Sequence, residues 1–194
     1  SVPFATLLPH PRGWMSNRYL WTLAAALCAT VGYAPAADER ESVEEQLRAE
    51  AEIARLPVRY AWAVDSKQID AVMALFAEKA VYDLSAYGHA SAVGHPAIRK
   101  LFLNSVFRAE QCSFSSISNV RVDVRGTEAS GADYFVHLGY NDPKYGANTR
   151  HLVEGQHFYE FVREKGEWRI SRMLGRPTFE TVESFPPAAL KHCP

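Results

Sequence analysis

Cysteine is scarce: Cys28, Cys112 and Cys193 are the whole set, and no two form a Cys-x-x-Cys pair. That excludes a disulfide-stapled small scaffold and a zinc ribbon, which need more sulfur at closer spacing. A Gly-rich phosphate loop, a Gly-x-Ser-x-Gly elbow and a His-Glu-x-x-His pair are missing as well, so nucleophilic serine or cysteine catalysis has no local support. No charge of one sign dominates, with 21 Lys+Arg against 22 Asp+Glu in 194 residues, and the basic stripe of a dedicated nucleic-acid binder is absent. Internal repeats are lacking too. What remains, with 47% apolar and 22% charged residues, is the composition of one globular domain.

The chain opens with a segment that reads as a targeting signal. Arg18 follows the first methionine, Met15, and the uncharged stretch Leu20–Tyr33 is rich in Leu and Ala. Ala34-Pro35-Ala36 is then a small-x-small cleavage pattern, with the charged run Asp38–Glu41 directly after it. This order is that of a cleavable secretory signal, and the apolar stretch is shorter than the roughly 20 residues a bilayer span needs. The expected organisation is an upstream extension and signal over residues 1–36, a domain over 37–176 and a tail over 177–194. The expected location is secreted or periplasmic, with no membrane contact after cleavage. Cys112 and Cys193 would then remain in an oxidising compartment, where they are able to pair; the sequence does not decide whether they do.

Helical spacing marks residues 39–56 through Val43, Leu47, Ala51 and Ala54. Pro57 interrupts, because a helix-interior proline costs about 3 kcal/mol, and it fits the first turn of a new helix through Asp65. A further helix is expected over Gln68–Ala77, a short strand over Ala80–Leu84, and a loop over Ser85–Gly94. A third core helix is expected over Pro96–Phe107. Beyond it the pattern alternates: Ile117–Val124, Ala132–Tyr140, His151–Arg163 and Trp168–Leu174 read as strands of an antiparallel meander. Helices followed by strands indicate an α+β fold. The tail from Pro177 reads as irregular.

Two groups of residues carry chemistry. Asp65 ends an otherwise apolar helix that also holds Tyr60, and an apolar setting disfavours a charged carboxylate, as a general base requires. A helix-end aspartate also serves as a plain polar cap. Tyr60 and Asp65 lie five residues apart, roughly 140° around the helix, so they converge only if a cavity wraps the helix end. On the strands, His137 shares a face with Asp133 and Phe135, and His157 shares one with His151 and Tyr159. Such histidines are commonly structural, and no metal-ligand spacing joins them.

The stretch Arg59-Tyr-Ala-Trp-Ala-Val-Asp65-Ser-Lys-Gln-Ile-Asp70 resembles the first core helix of SnoaL-like proteins, within the nuclear transport factor 2-like superfamily. The likeness extends through Val93-Gly94-His-Pro-Ala-Ile98, Ser118-Asn119-Val120, Gly155-Gln-His-Phe-Tyr-Glu-Phe-Val-Arg163 and Gly166-Glu-Trp168-Arg-Ile170. It implies a cone-shaped α+β barrel with N-terminal helices packed on a curved antiparallel sheet. Within the family the chain looks most like the dehydratase branch, which implies cofactor-free, metal-free acid–base chemistry with Asp65 as its carboxylate. There the aspartate pairs with a histidine at the position of Ser115, so the resemblance leaves His137 or His157 to substitute. Asp83 and Tyr87 fall near a substrate-side tyrosine of the branch, and Trp62, Ser115, Phe135 and Tyr159 complete the expected substrate wall.

The function expected on these grounds is a lyase, of dehydratase type, or an isomerase acting on a small hydrophobic molecule, with Asp65, Tyr60 and a histidine as the catalytic group. The alternative is a non-catalytic small-molecule-binding domain, which the serine at position 115 favours. A homo-oligomer paired through its sheets, with Tyr134 and Tyr140 on the exposed face, is also expected.

Overall fold

The computed structural model describes residues 37–193, so the expected signal segment lies outside the described residues. Three helices, α1 (Ala37–Ala54), α2 (Leu56–Asp65) and α3 (Ile69–Met73), lead into strand β1 (Phe76–Asp83). A short strand β2 (Ala92–Val93) and helix α4 (Gly94–Leu101) follow, then a π-helical turn at Phe102–Val106 and the short α5 (Phe107–Ala109). Four long strands follow: β3 (Cys112–Arg125), β4 (Glu128–Tyr140), β5 (Thr149–Glu164) and β6 (Glu167–Ser184). They form one open six-stranded sheet in the order β2-β1-β6-β5-β4-β3. Among the described residues no helix is long and apolar enough to cross a membrane.

The alternation of residue types drives this arrangement. On β5, Val153, Gly155, His157, Tyr159 and Phe161 are buried, while the residues between them are more exposed. That period of two gives the sheet one inner face. α2 packs across β3, and α4 packs on β1. Ile53, Val72, Leu75, Phe76, Ile98, Phe102, Ile170 and Met173 belong to the hydrophobic core cluster. Each fully buried large side chain contributes about 1.5–3 kcal/mol.

Four expectations are corrected. The sheet is mixed rather than wholly antiparallel, because β1 runs parallel to β6; the chain passes through α4 and the three other long strands before β6 returns beside it. The expected helix over Gln68–Ala77 stops at Met73, since Phe76 and Ala77 are already the buried start of β1. The helix over Pro96–Phe107 begins at Gly94 and loosens into the π-helical turn. β6 continues to Ser184, well into the expected tail, and pairs with the start of β5 from Thr149 onward. Pro177 lacks an N–H, and the register shift at Glu154/Gly155 opposite it accommodates that.

Candidate functional site

Asp65 occupies the last turn of α2, where the helix dipole is unfavourable to a negative charge. Its burial there, at 8% exposure, therefore depends on donors from elsewhere, and β3 supplies three. Ser113 Oγ donates to Oδ1 at 2.9 Å, Ser115 Oγ to the same oxygen at 2.9 Å, and the Ser115 amide to Oδ2 at 2.7 Å. Ser115 stands directly opposite His137 in the β3–β4 register, and its hydroxyl lies 2.9 Å from His137 Nδ1. The other ring nitrogen, Nε2, lies 2.7 Å from Glu110 Oε1. A continuous line thus runs from Asp65 through Ser115 and His137 to Glu110.

The proton positions in this line follow from the donor inventory. Ser115 has one hydroxyl proton and gives it to Asp65, so Nδ1 of His137 donates to Ser115 Oγ. Nε2 faces a carboxylate and donates as well. Burial works against a charged ring, but the Glu110 hydrogen bond and charge, together with the Asp65 charge, outweigh it and hold His137 above its ordinary value. Glu110 reaches this position because β4 carries Gly139 there; a Cβ at 139 would overlap its carboxylate. Lys67, at a φ of 53°, fastens the connector that bears Glu110. Its ammonium donates to the carbonyls of Phe107, Glu110 and Gln111 at 2.9, 2.7 and 3.1 Å, which uses all three of its protons.

A second carboxylate–imidazole pair lies further along the same sheet face. Asp133, at 2% exposure, stands opposite His157. His157 Nδ1 is 2.9 Å from Asp133 Oδ1, and the Tyr159 hydroxyl donates to Oδ2 at 2.8 Å. Phe135 stacks on the His157 ring with centroids 4.2 Å apart, and Tyr60 meets it edge-on at 6.3 Å. Phe135 lies flat because β5 carries Gly155 beneath it; a Cβ there would overlap the Arg176 carbonyl and come within 2.9 Å of Phe135 Cε1. Burial, then Tyr82, pushes the Tyr60 hydroxyl well above its ordinary range, and burial with the Asp133 charge does the same for Tyr159. Both therefore remain protonated donors at neutral pH.

The sequence-derived candidates divide between these two pairs. Asp65, Ser115 and His137 come together, as do Tyr60, Phe135, His157 and Tyr159. No hydrogen bond joins Tyr60 to Asp65; the Tyr60 hydroxyl meets that of Tyr82 at 2.8 Å instead. Tyr87 lies over Gly175, beside the His157 ring. Two candidates stand apart. Trp62 is 68% exposed on the outer side of α2. Asp83 is committed to a turn, accepting from the Ser85 amide at 2.9 Å, Ser91 Oγ at 3.2 Å and Arg172 at 2.5 Å. The Ser85 hydrogen bonds, more than Arg172 and Ser91, hold it down to about 2. Of the two aromatics expected on the exposed face, Tyr134 is exposed, whereas Tyr140 packs against Phe185.

Ser113, Glu110, Lys67 and Asp133 were not among the candidates. Alternation had placed Asp133 on the face of His137 and Phe135, and an acid on a buried strand face was the available signal. Ser113 lies before the start of the expected strand at Ile117, and only the longer β3 brings it in. Glu110 and Lys67 lie in connectors, where periodicity gives none.

The family model of the SnoaL-like domain matches residues 45–174. A Novosphingobium aromaticivorans protein with the provisional name aromatic ring hydroxylase is 32% identical, with 74% of this chain and 94% of that one covered and a TM-score of 0.61. The hexachlorocyclohexane dehydrochlorinase of Novosphingobium barchaimii shares the fold at 21% identity, covering 78% of this chain and 99% of its own, with a TM-score of 0.67. A second Novosphingobium aromaticivorans protein, provisionally a scytalone dehydratase, shares it at 21% identity, 80% and 99% coverage and a TM-score of 0.60. No protein of curated function matches the sequence.

Proposed function

The chain belongs to the SnoaL-like domain family, and from that premise we propose that it performs cofactor-free acid–base chemistry, of the lyase or isomerase kind, on a small hydrophobic molecule held between the helices and the sheet. One observation carries this reading: the inner face of the sheet presents an imidazole oriented by a buried carboxylate within a wall of aromatic rings. A ring nitrogen held this way serves proton transfer, which contributes about 10²–10⁴-fold to a rate. The names of the similar dehydratase and dehydrochlorinase proteins agree with an elimination. Secretion belongs to the same proposal, and the bond between Cys112 and Cys193 supports it, because disulfides persist in oxidising compartments. Self-association through the outer sheet face, where Tyr134 is exposed, is part of it too.

The second reading is a binding domain without turnover. The line from Asp65 to Glu110 favours it, since the donors of that line are already paired within the protein.

A general elimination probe separates the two. In 5-nitrobenzisoxazole a base removes the proton on C3, that C–H electron pair forms the third C–N bond, and the N–O bond breaks to release a coloured phenolate. An enzyme of the proposed kind opens the probe at least about tenfold faster per mole than free imidazole. A protein that binds the probe but opens it no faster than imidazole is the binding domain of the second reading.

A further inference from the structure

Resting on that acid–base reading, we infer that His157 is the group that exchanges a proton with the substrate, that Asp133 and Tyr159 position it, and that His137 is held out of the chemistry.

The two imidazoles differ in what their nitrogens have left to offer. Both nitrogens of His137 are occupied, by Ser115 Oγ and by Glu110 Oε1, and both act as donors. The ring has no lone pair to accept a proton, and releasing one would turn a lone pair towards a carboxylate. His157 is engaged at Nδ1 alone. Asp133 accepts there and leaves the lone pair of the neutral ring on Nε2, which has no protein partner among the described residues and is not among their sealed, orphaned atoms. The carboxylate that sets this tautomer cannot turn away, because its other oxygen is taken by the Tyr159 hydroxyl. A fixed Nδ1–H and an open Nε2 are what a general base requires.

Sheet geometry separates the two centres. His137 lies four residues along β4 from Asp133, the residue opposite His157, a distance of about 13 Å at strand rise. One small molecule does not span both at adjacent atoms, so an elimination across one bond uses one imidazole. The rings beside His157, Phe135 stacked and Tyr60 edge-on, make its surroundings apolar, which suits an apolar substrate body, and the base selects an acidified C–H on it.

The test uses the full chain, 5-nitrobenzisoxazole turnover and the ring-nitrogen NMR spectrum of the histidines. His157→Gln is expected to lose about 10²–10⁴-fold of the probe rate, and His137→Gln and Asp65→Asn less than about tenfold. Asp133→Asn replaces an acceptor at Nδ1 with an amide able to donate there, which moves the ring proton to Nε2. The rate is expected to fall by about tenfold or more, and the Nε2 resonance is expected to change from unprotonated to protonated. A burial role alone would move neither the tautomer nor the pH–rate profile. If Asp133→Asn does not fold, Tyr159→Phe removes only the second hydrogen bond to the carboxylate; a smaller loss with a shifted pH–rate profile is expected. Full turnover in His157→Gln, or an equal loss in His137→Gln, overturns the assignment. A wild type that does not open the probe overturns the acid–base reading itself. An Nε2 of wild-type His157 that is protonated while Nδ1 is not overturns the dyad whatever the turnover.

Discussion

His137 shows how a single residue records its surroundings. Its charge is favoured by Glu110 and Asp65 against the cost of burial, so its folded value lies above the ordinary one of about 6.5. A raised cationic group stabilises the fold fully below its unfolded value, and that contribution is lost as pH rises through the folded value. Urea unfolding between about pH 5.5 and pH 9 should therefore show stability falling on the alkaline side of about 6.5. His137→Gln should flatten that slope, and an unchanged slope in the variant would remove His137 as its source. Asp83 has the opposite sign, with stability present above about 4 and lost towards about 2. The two titrations therefore act at separate ends of the pH range.

At the scale of elements, two glycines make room for the site's side chains. Gly139 admits Glu110 to His137, and Gly155 lets Phe135 lie across β5 onto His157. Gly155→Ala places a methyl group against the Arg176 carbonyl and the Phe135 ring, an overpacking that costs about 1–3 kcal/mol. Thermal unfolding should show the loss, and the His157 ring resonances should shift as Phe135 is displaced. A variant with wild-type stability and unshifted resonances would mean that the two strands separate more easily than their packing indicates. β3 carries a bulge at Asn119, whose φ is 53°. The register shifts between Ser118 and Arg121, so the more buried positions pass from Ser113, Ser115 and Ile117 to Val120, Val122 and Val124.

For the whole molecule, one covalent tie joins the end of the chain to the site. Cys193 bonds to Cys112, 81 residues away, and Cys112 is adjacent in sequence to Ser113, a donor to Asp65. A crosslink closing a loop of this size typically contributes about 2–4 kcal/mol. Cys193→Ser should lower the melting temperature by more than about 4 °C, at the 2–4 °C per kcal/mol usual for this size. A smaller shift would show that Phe185 packing on Tyr140 and the β5–β6 pairing hold the tail without the bond.

Local chemistry was enough to locate α2 and its proline start, the alternating strands β3 to β6 and the α+β order, because a helix stripe and a strand alternation are written within a few residues of one another. The same alternation assigned Asp133, Phe135 and His137 to one face, and His157 and Tyr159 to another strand's inner face. It did not reveal that β1 lies parallel to β6, that β6 absorbs Pro177 and runs on to Ser184, or that Phe76 begins a strand. Those outcomes depend on partners far away in sequence. Nor did it reveal how the candidates divide. The pairing Ser115 opposite His137 and Asp133 opposite His157 is a matter of register, unbroken between β4 and β5 and shifted between β3 and β4 at the bulge around Asn119. The sequence by itself determined which acids and imidazoles the inner face carries. Only the tertiary structure decided which acid meets which imidazole, because each hydrogen bond joins residues that neighbour one another across strands and not along the chain.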